Sequence, residues 1–106
     1  MTALAPHLAA FLRDHLPRER NVSPHTVTTY ANCFALLVRF AADRLRRRPT
    51  DLTIEDFDPE LIMAFLDNTE DARKNSPRTR NARLAAIRAF FRYVEYRVPA
   101  CLDLAL

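Results

Sequence analysis

The 106-residue sequence contains no glycine. That excludes the glycine-rich loops that cradle phosphates, and it argues against a hairpin-rich β fold, whose tight turns usually need glycine. Cysteine is nearly absent too. Cys33 and Cys101 are the only two, and they show neither metal nor redox spacing. Cys33 falls within a helical pattern and reads as a small buried or half-buried hydrophobe. No apolar run approaches the length that spans a membrane. The opening residues, broken by Pro6, His7 and Arg13, do not form a signal peptide, so the expected compartment is the cytoplasm. Histidine is sparse: His7, His15 and His25 all precede residue 26. No metal set and no nucleophile–base pair can be assembled from these residues, so neither a cofactor nor an independent enzyme is expected.

Hydrophobic residues make up 49% of the chain, enough for one globular domain with a single core. The net charge of +3 is small, but it is unevenly placed. Residues 50–71 hold eight acids and no base, whereas residues 72–97 hold eight bases against one acid, Glu95. Such asymmetry points to one surface for a polyanion and another turned away from it.

The periodicity predicts four helices. The first, from Leu4 to Leu16, carries Leu8, Phe11, Leu12 and Leu16 on one side and is expected to stop at Pro17. Ser23-Pro24 is a capping hydroxyl followed by a proline at the first helical position. It opens a second helix to about Arg46, with Val27, Tyr30, Phe34 and Leu37 inward. Its other side begins with His25, Thr28, Thr29 and Asn32, all polar and uncharged, as suits contacts to phosphates and base edges. Arg44, Arg46, Arg47 and Arg48 follow at its C-terminal end, where the helix dipole favours cations. Leu52, Ile54 and Phe57 should plug the core from an acidic connection. Asp58-Pro59 starts a short third helix, and residues 68–75 read as a loop.

Ser76-Pro77 opens the fourth helix, whose apolar stripe is Leu84, Ile87, Phe91 and Val94. Arg78, Arg80 and Arg83 oppose the helix dipole and so do not help the helix form. Arg80 and Arg83 share the stripe's side and should project past the end of the core. Tyr30, Tyr93 and Tyr96 fall on or beside apolar stripes and read as core. Val98-Pro99 ends the helix, and residues 100–106 form an apolar tail, a truncated linker or a small contact surface.

Ser23-Pro24-His25-Thr26-Val27 with Tyr30, followed by an acidic middle and then Ser76-x-x-Thr79 with Arg83, Leu84, Ala86, Arg88, Phe90 and Tyr93, resembles the N-terminal core-binding domain of tyrosine recombinases, the phage-type integrases. The likeness covers about residues 4–97. It implies an all-α, four-helix SAM-like orthogonal bundle over residues 1–99, forming one half of a C-shaped clamp on double-stranded DNA. In that family the second and fourth helices face the major groove. Carried over by position, Ser23, His25, Thr26 and Thr29 would contact DNA from the second helix. Ser76, Arg78, Thr79, Arg80 and Arg83 would do so from the fourth, and Arg88 would either contact DNA or pair internally. The implied partners are a C-terminal catalytic domain or other recombinase protomers, in a nucleoid-associated setting and without a membrane.

Two departures stand out. Thr28 and Asn32 replace residues that are often basic in the family. The family's catalytic arginine, lysine, His-x-x-Arg motif and tyrosine nucleophile have no counterpart in these 106 residues, so this stretch by itself is not expected to cut or join DNA. The competing reading is a helical protein-interaction module that uses the acidic face and the apolar tail.

Overall fold

A computed structural model describes residues 2–73 and 76–97, with side chains described except at 70–73. Residues 98–106, including the expected helix stop at Val98-Pro99 and the tail, lie outside the described residues. Among the described residues the fold is all-α, with four α-helices. The chain forms two compact units, Met1–Ile54 and Glu55–Leu106.

In the first unit, α1 spans Leu4–Ala10 and continues without a break into a wider, π-type helix, Phe11–Glu19. Pro17 therefore does not stop the first helix. Proline has no N–H to donate, and its ring would collide with the carbonyl four residues back. Widening relieves that collision, and the segment closes with the Arg20 N–H donating to the His15 carbonyl, five residues back, at 2.9 Å. Phe11, 1% exposed, is the hub of this unit. Its ring meets Phe34 edge-on at 6.1 Å and stacks with Tyr30 at 6.4 Å and His15 at 5.8 Å.

Helix α2 spans Pro24–Leu45 and buries Cys33, Phe34, Leu37, Ala41 and Ala42. The connection after α2 returns to the N-terminal segment. The Leu4 N–H donates to the Leu52 carbonyl at 3.1 Å, and the Ile54 N–H donates to the Thr2 carbonyl at 2.8 Å. This pairing seats Leu52 and Ile54 in the core, as their apolar character predicts.

The absence of glycine shows at the end of α2. Arg46 adopts the left-handed conformation (φ 54°, ψ 48°), and the Arg47 N–H reaches back to the Ala42 carbonyl at 3.0 Å. Glycine usually occupies this position, because a Cβ there costs about 1–2 kcal/mol. Arg46→Gly is expected to stabilise the protein by about 1 kcal/mol, part of the strain relief being offset by glycine's larger unfolded-state entropy. A thermal melt should show a rise of about 4–8 °C. Asn21 takes the other positive φ (51°), and asparagine tolerates this region well.

In the second unit, the Asp58 carboxylate caps α3 (Pro59–Arg73), accepting the Leu61 N–H at 2.8 Å. α3 is longer than the sequence suggests, and the expected loop from residue 68 is helical through Arg73. Thr69 is buried, and its hydroxyl donates to the Phe65 carbonyl at 2.8 Å. A threonine that satisfies its own hydroxyl this way can sit on the packed face of a helix. Helix α4 spans Pro77–Arg97. Phe57, Leu61, Ile62, Phe65 and Leu66 pack with Ile87, Phe90, Phe91 and Val94 as this unit's core.

Candidate nucleic-acid interface

The two Ser-Pro starts are built alike. Ser23 Oγ accepts the Thr26 N–H at 3.2 Å and donates to Thr26 Oγ1 at 3.0 Å. Ser76 Oγ accepts the Thr79 N–H at 3.3 Å, with its hydroxyl 3.4 Å from that of Thr79. Val27 and Arg80 already donate to the carbonyls of Ser23 and Ser76, and the prolines have no N–H. Each first turn thus keeps one orphan amide, at His25 in α2 and at Arg78 in α4. Both residues are exposed, and both carry a side chain able to donate to an anion. Ser23, Thr26, Ser76 and Thr79 spend much of their hydrogen-bonding capacity on capping. His25 and Arg78 are the better placed to meet a phosphate.

Further along α2, Thr28 Oγ1 donates to the Pro24 carbonyl and Thr29 Oγ1 to the His25 carbonyl, each at 3.0 Å. Their hydroxyl protons point into the helix, so the outward atoms are lone pairs. In this rotamer Thr29 suits a donor such as a base amino group better than it suits a phosphate. Asn32 is exposed beside them.

On α4 the arginines divide into two sets. Arg80 and Arg83 are half-buried on the core side of the helix. Arg80 does not project past the core as an open cation, because its Nη1 donates to Asp67 Oδ1 on α3 at 2.7 Å. Asp67 therefore accounts for a cation that the helix dipole leaves unexplained. The second set is open. Arg78, Arg88 and Arg92 are exposed, and no described carboxylate pairs with any of them. At 100° per residue they share one side with Asn81, Ala82 and Ala85, all exposed, opposite Ile87 and Val94. From Arg78 to Arg92 the row runs roughly 21 Å at 1.5 Å per residue, longer than the ~12 Å width of a DNA major groove. The small side chains between the arginines permit close approach.

Arg92 and Asn81 are the members of this row that sequence reasoning missed. The signal was the four-residue step from Arg88 to Arg92 on the side away from Ile87. Arg88 is exposed, and no described carboxylate pairs with it. Tyr93 is buried beneath the Arg97 guanidinium, 5.1 Å from its ring. Tyr96, expected in the core, is 87% exposed on the same side as the arginine row.

At the other end of the charge distribution, Arg48 forks onto Asp51 at 3.0 and 3.4 Å. The hydrogen bond first, and the carboxylate's charge second, push the Arg48 guanidinium above its ordinary value. Arg44 lies over the Phe40 ring at 6.0 Å. Among the described residues, no group of three or more His, Cys, Asp and Glu side chains is placed to hold a metal ion, and no helix is long and apolar enough to cross a membrane. A cavity of about 340 Å³ in the first unit is mostly apolar, lined by Leu4, Leu8, Leu12 and Val38, with Arg13 and Thr50 as its polar members.

Over residues 8–97 the chain matches the family described as phage integrase, N-terminal SAM-like domain. The chain belongs to that family. It is 46% identical over 102 residues to the putative integrase/recombinase y4rD of Sinorhizobium fredii, covering 96% of this chain and 36% of that protein. A second putative integrase/recombinase from the same organism, y4rC, is 44% identical over 97 residues, covering 92% of this chain and 29% of its own. The tyrosine recombinase XerC of Pelobacter propionicus is 36% identical over 94 residues, 89% of this chain and 29% of the relative. The chain thus spans about a third of the length of these curated relatives. No solved structure gives a significant match.

Proposed function

We propose that this chain is the DNA-gripping N-terminal domain of a tyrosine-type site-specific recombinase. It binds double-stranded DNA through α4 and the first turns of α2, while strand cleavage and rejoining belong to a separate catalytic domain. The observation that carries the reading is the open row Arg78–Arg88–Arg92 on α4, with small and amide side chains between the cations. Arg78, Arg88 and Arg92 supply phosphate contacts, joined by His25 at the start of α2. Ser23, Thr26, Ser76 and Thr79 hold the two helix starts, and the Thr26 hydroxyl, which accepts from Ser23, keeps its own proton for an acceptor on the DNA. Thr29, Asn32 and Asn81 face base edges. Arg80 and Arg83 sit closer to the protein and contribute where the duplex approaches the start of α4. The partners are duplex DNA and a C-terminal catalytic domain or other recombinase protomers.

The test is binding to a random-sequence duplex pool across a salt series. Four to six phosphate contacts give a log–log slope of roughly −4 to −5. A folded protein that fails to bind at low salt, or a slope near zero, would remove this reading.

A further inference from the structure

Resting on the DNA-binding reading, we propose that Tyr96 is the last DNA-contacting residue of the α4 row, its phenol hydroxyl donating to a backbone phosphate. Among the described residues, Met63 and Tyr96 are the two large apolar side chains left exposed, at 47% and 87%. No described group accepts the Tyr96 hydroxyl proton, and none covers its ring. Tyr93, three residues earlier, is 6% exposed, so α4 buries one tyrosine and presents the other. The place of Tyr96 on the helix decides what it meets. Eighteen residues, or about five turns at 3.6 residues each, separate it from Arg78. The two side chains therefore leave α4 in the same direction, in line with Arg88 and Arg92.

Arg92 stands one turn before Tyr96, roughly 6 Å away along the axis at 1.5 Å per residue. Phosphates recur every ~3.4 Å of duplex axis on each strand, so a strand held by Arg92 carries further phosphates within a tyrosine's reach. The chemistry selects the hydroxyl rather than the ring. In an intact duplex the bases stack on one another and show only their edges in the groove, which leaves the ring no face to stack on. The phenol is an uncharged donor, and tyrosine is among the side chains that bond phosphate oxygens. An arginine that neutralises a phosphate releases a counterion and steepens the salt dependence, whereas an uncharged donor releases none. Tyr96 therefore adds affinity that salt does not remove, and it fixes the end of α4 on the strand.

The experiment compares the full chain with Tyr96→Phe and Tyr96→Ala, using a random-sequence duplex pool as the probe across a salt series. Tyr96→Phe should bind about three- to tenfold more weakly at every salt concentration, the net worth of one hydrogen bond. Its log–log slope should match that of the unaltered protein. Tyr96→Ala should lose at least as much, again with the original slope. Both variants should stay folded by circular dichroism, because the side chain is exposed. Nitration by tetranitromethane, located by mass spectrometry, gives a second readout. The free protein should be nitrated at Tyr96 ahead of the buried Tyr93, and bound duplex should slow the Tyr96 reaction about fivefold or more. Unchanged binding by both variants overturns the inference and moves Tyr96 to a protein contact. A loss in Tyr96→Ala without one in Tyr96→Phe also overturns it, because the ring would then be the group engaged. So does a shallower slope in Tyr96→Phe, or equal nitration of Tyr96 with and without bound DNA. Failure of the unaltered protein to bind at low salt identifies the DNA-binding reading itself as the fault, and the inference falls with it.

Discussion

Replacing Arg78, Arg88 and Arg92 together by alanine is expected to lower duplex DNA affinity by about a hundredfold, with the helical content unchanged. Each open guanidinium that meets a phosphate contributes on the order of 1 kcal/mol beyond the water it gives up. Three make about 3 kcal/mol, or two decades in affinity. The salt slope should become shallower by about 2.7, at 0.9 per phosphate lost. The fold should hold, because the three side chains are exposed and unpaired among the described residues, and because alanine is the better helix former. The Arg80→Ala, Arg83→Ala pair is the instructive contrast. Both residues are half-buried and Arg80 is engaged by Asp67, so the pair should alter stability more, and the slope less, than the open trio does. Fluorescence anisotropy across a salt series, with circular dichroism on the same samples, separates the two outcomes. A trio variant that retains the original slope would move the interface off this side of α4.

The contrast also marks what could be read from the residues alone. Ser23-Pro24 and Ser76-Pro77 locate two helix starts because a cap and a fixed φ are local properties, and both caps form as their spacing implies. Leu52, Ile54 and Phe57 are legible as core plugs because nothing polar competes for their environment. Together with the resemblance that starts from those Ser-Pro segments, this was enough for the all-α fold and the recombinase family. The exceptions are non-local or self-satisfied. Arg80 and Asp67 are thirteen residues apart, and no periodicity joins them, so two arginines on the stripe side looked like open cations. Pro17 reads as a stop unless the helix can widen around it. Thr69 reads as loop unless its hydroxyl finds a carbonyl on its own helix. Tyr96 shows the limit of judging by residue type: it is aromatic and near the stripe, but nine residues past Ile87 it has turned to the opposite side.

Phe90→Ala is expected to cost about 3–5 kcal/mol of folding free energy, the largest effect of any single substitution considered. Phe90 is 1% exposed, meets Phe91 edge-on at 5.6 Å and stacks with Tyr93 at 6.4 Å. Truncation removes the buried ring and leaves a cavity among neighbours that α4 itself holds in place, so collapse can recover little. Losing the two ring pairs adds to the cost, since such pairs contribute about 0.5–1.5 kcal/mol beyond their buried area. Against a typical total of about 5–15 kcal/mol, the loss takes a large share of what holds the fold together. The melting temperature should fall by roughly 12–40 °C, at about 4–8 °C per kcal/mol for a chain of this size. DNA affinity should then fall in step with the unfolded fraction and recover on cooling, whereas the arginine trio should lose affinity at every temperature with its melt intact. That difference in temperature dependence separates the base that holds α4 from the side of α4 that meets DNA. If Phe90→Ala melts within a few degrees of the unaltered protein, the ring cluster does not anchor α4, and the placement of the arginine row must depend on other contacts within its unit.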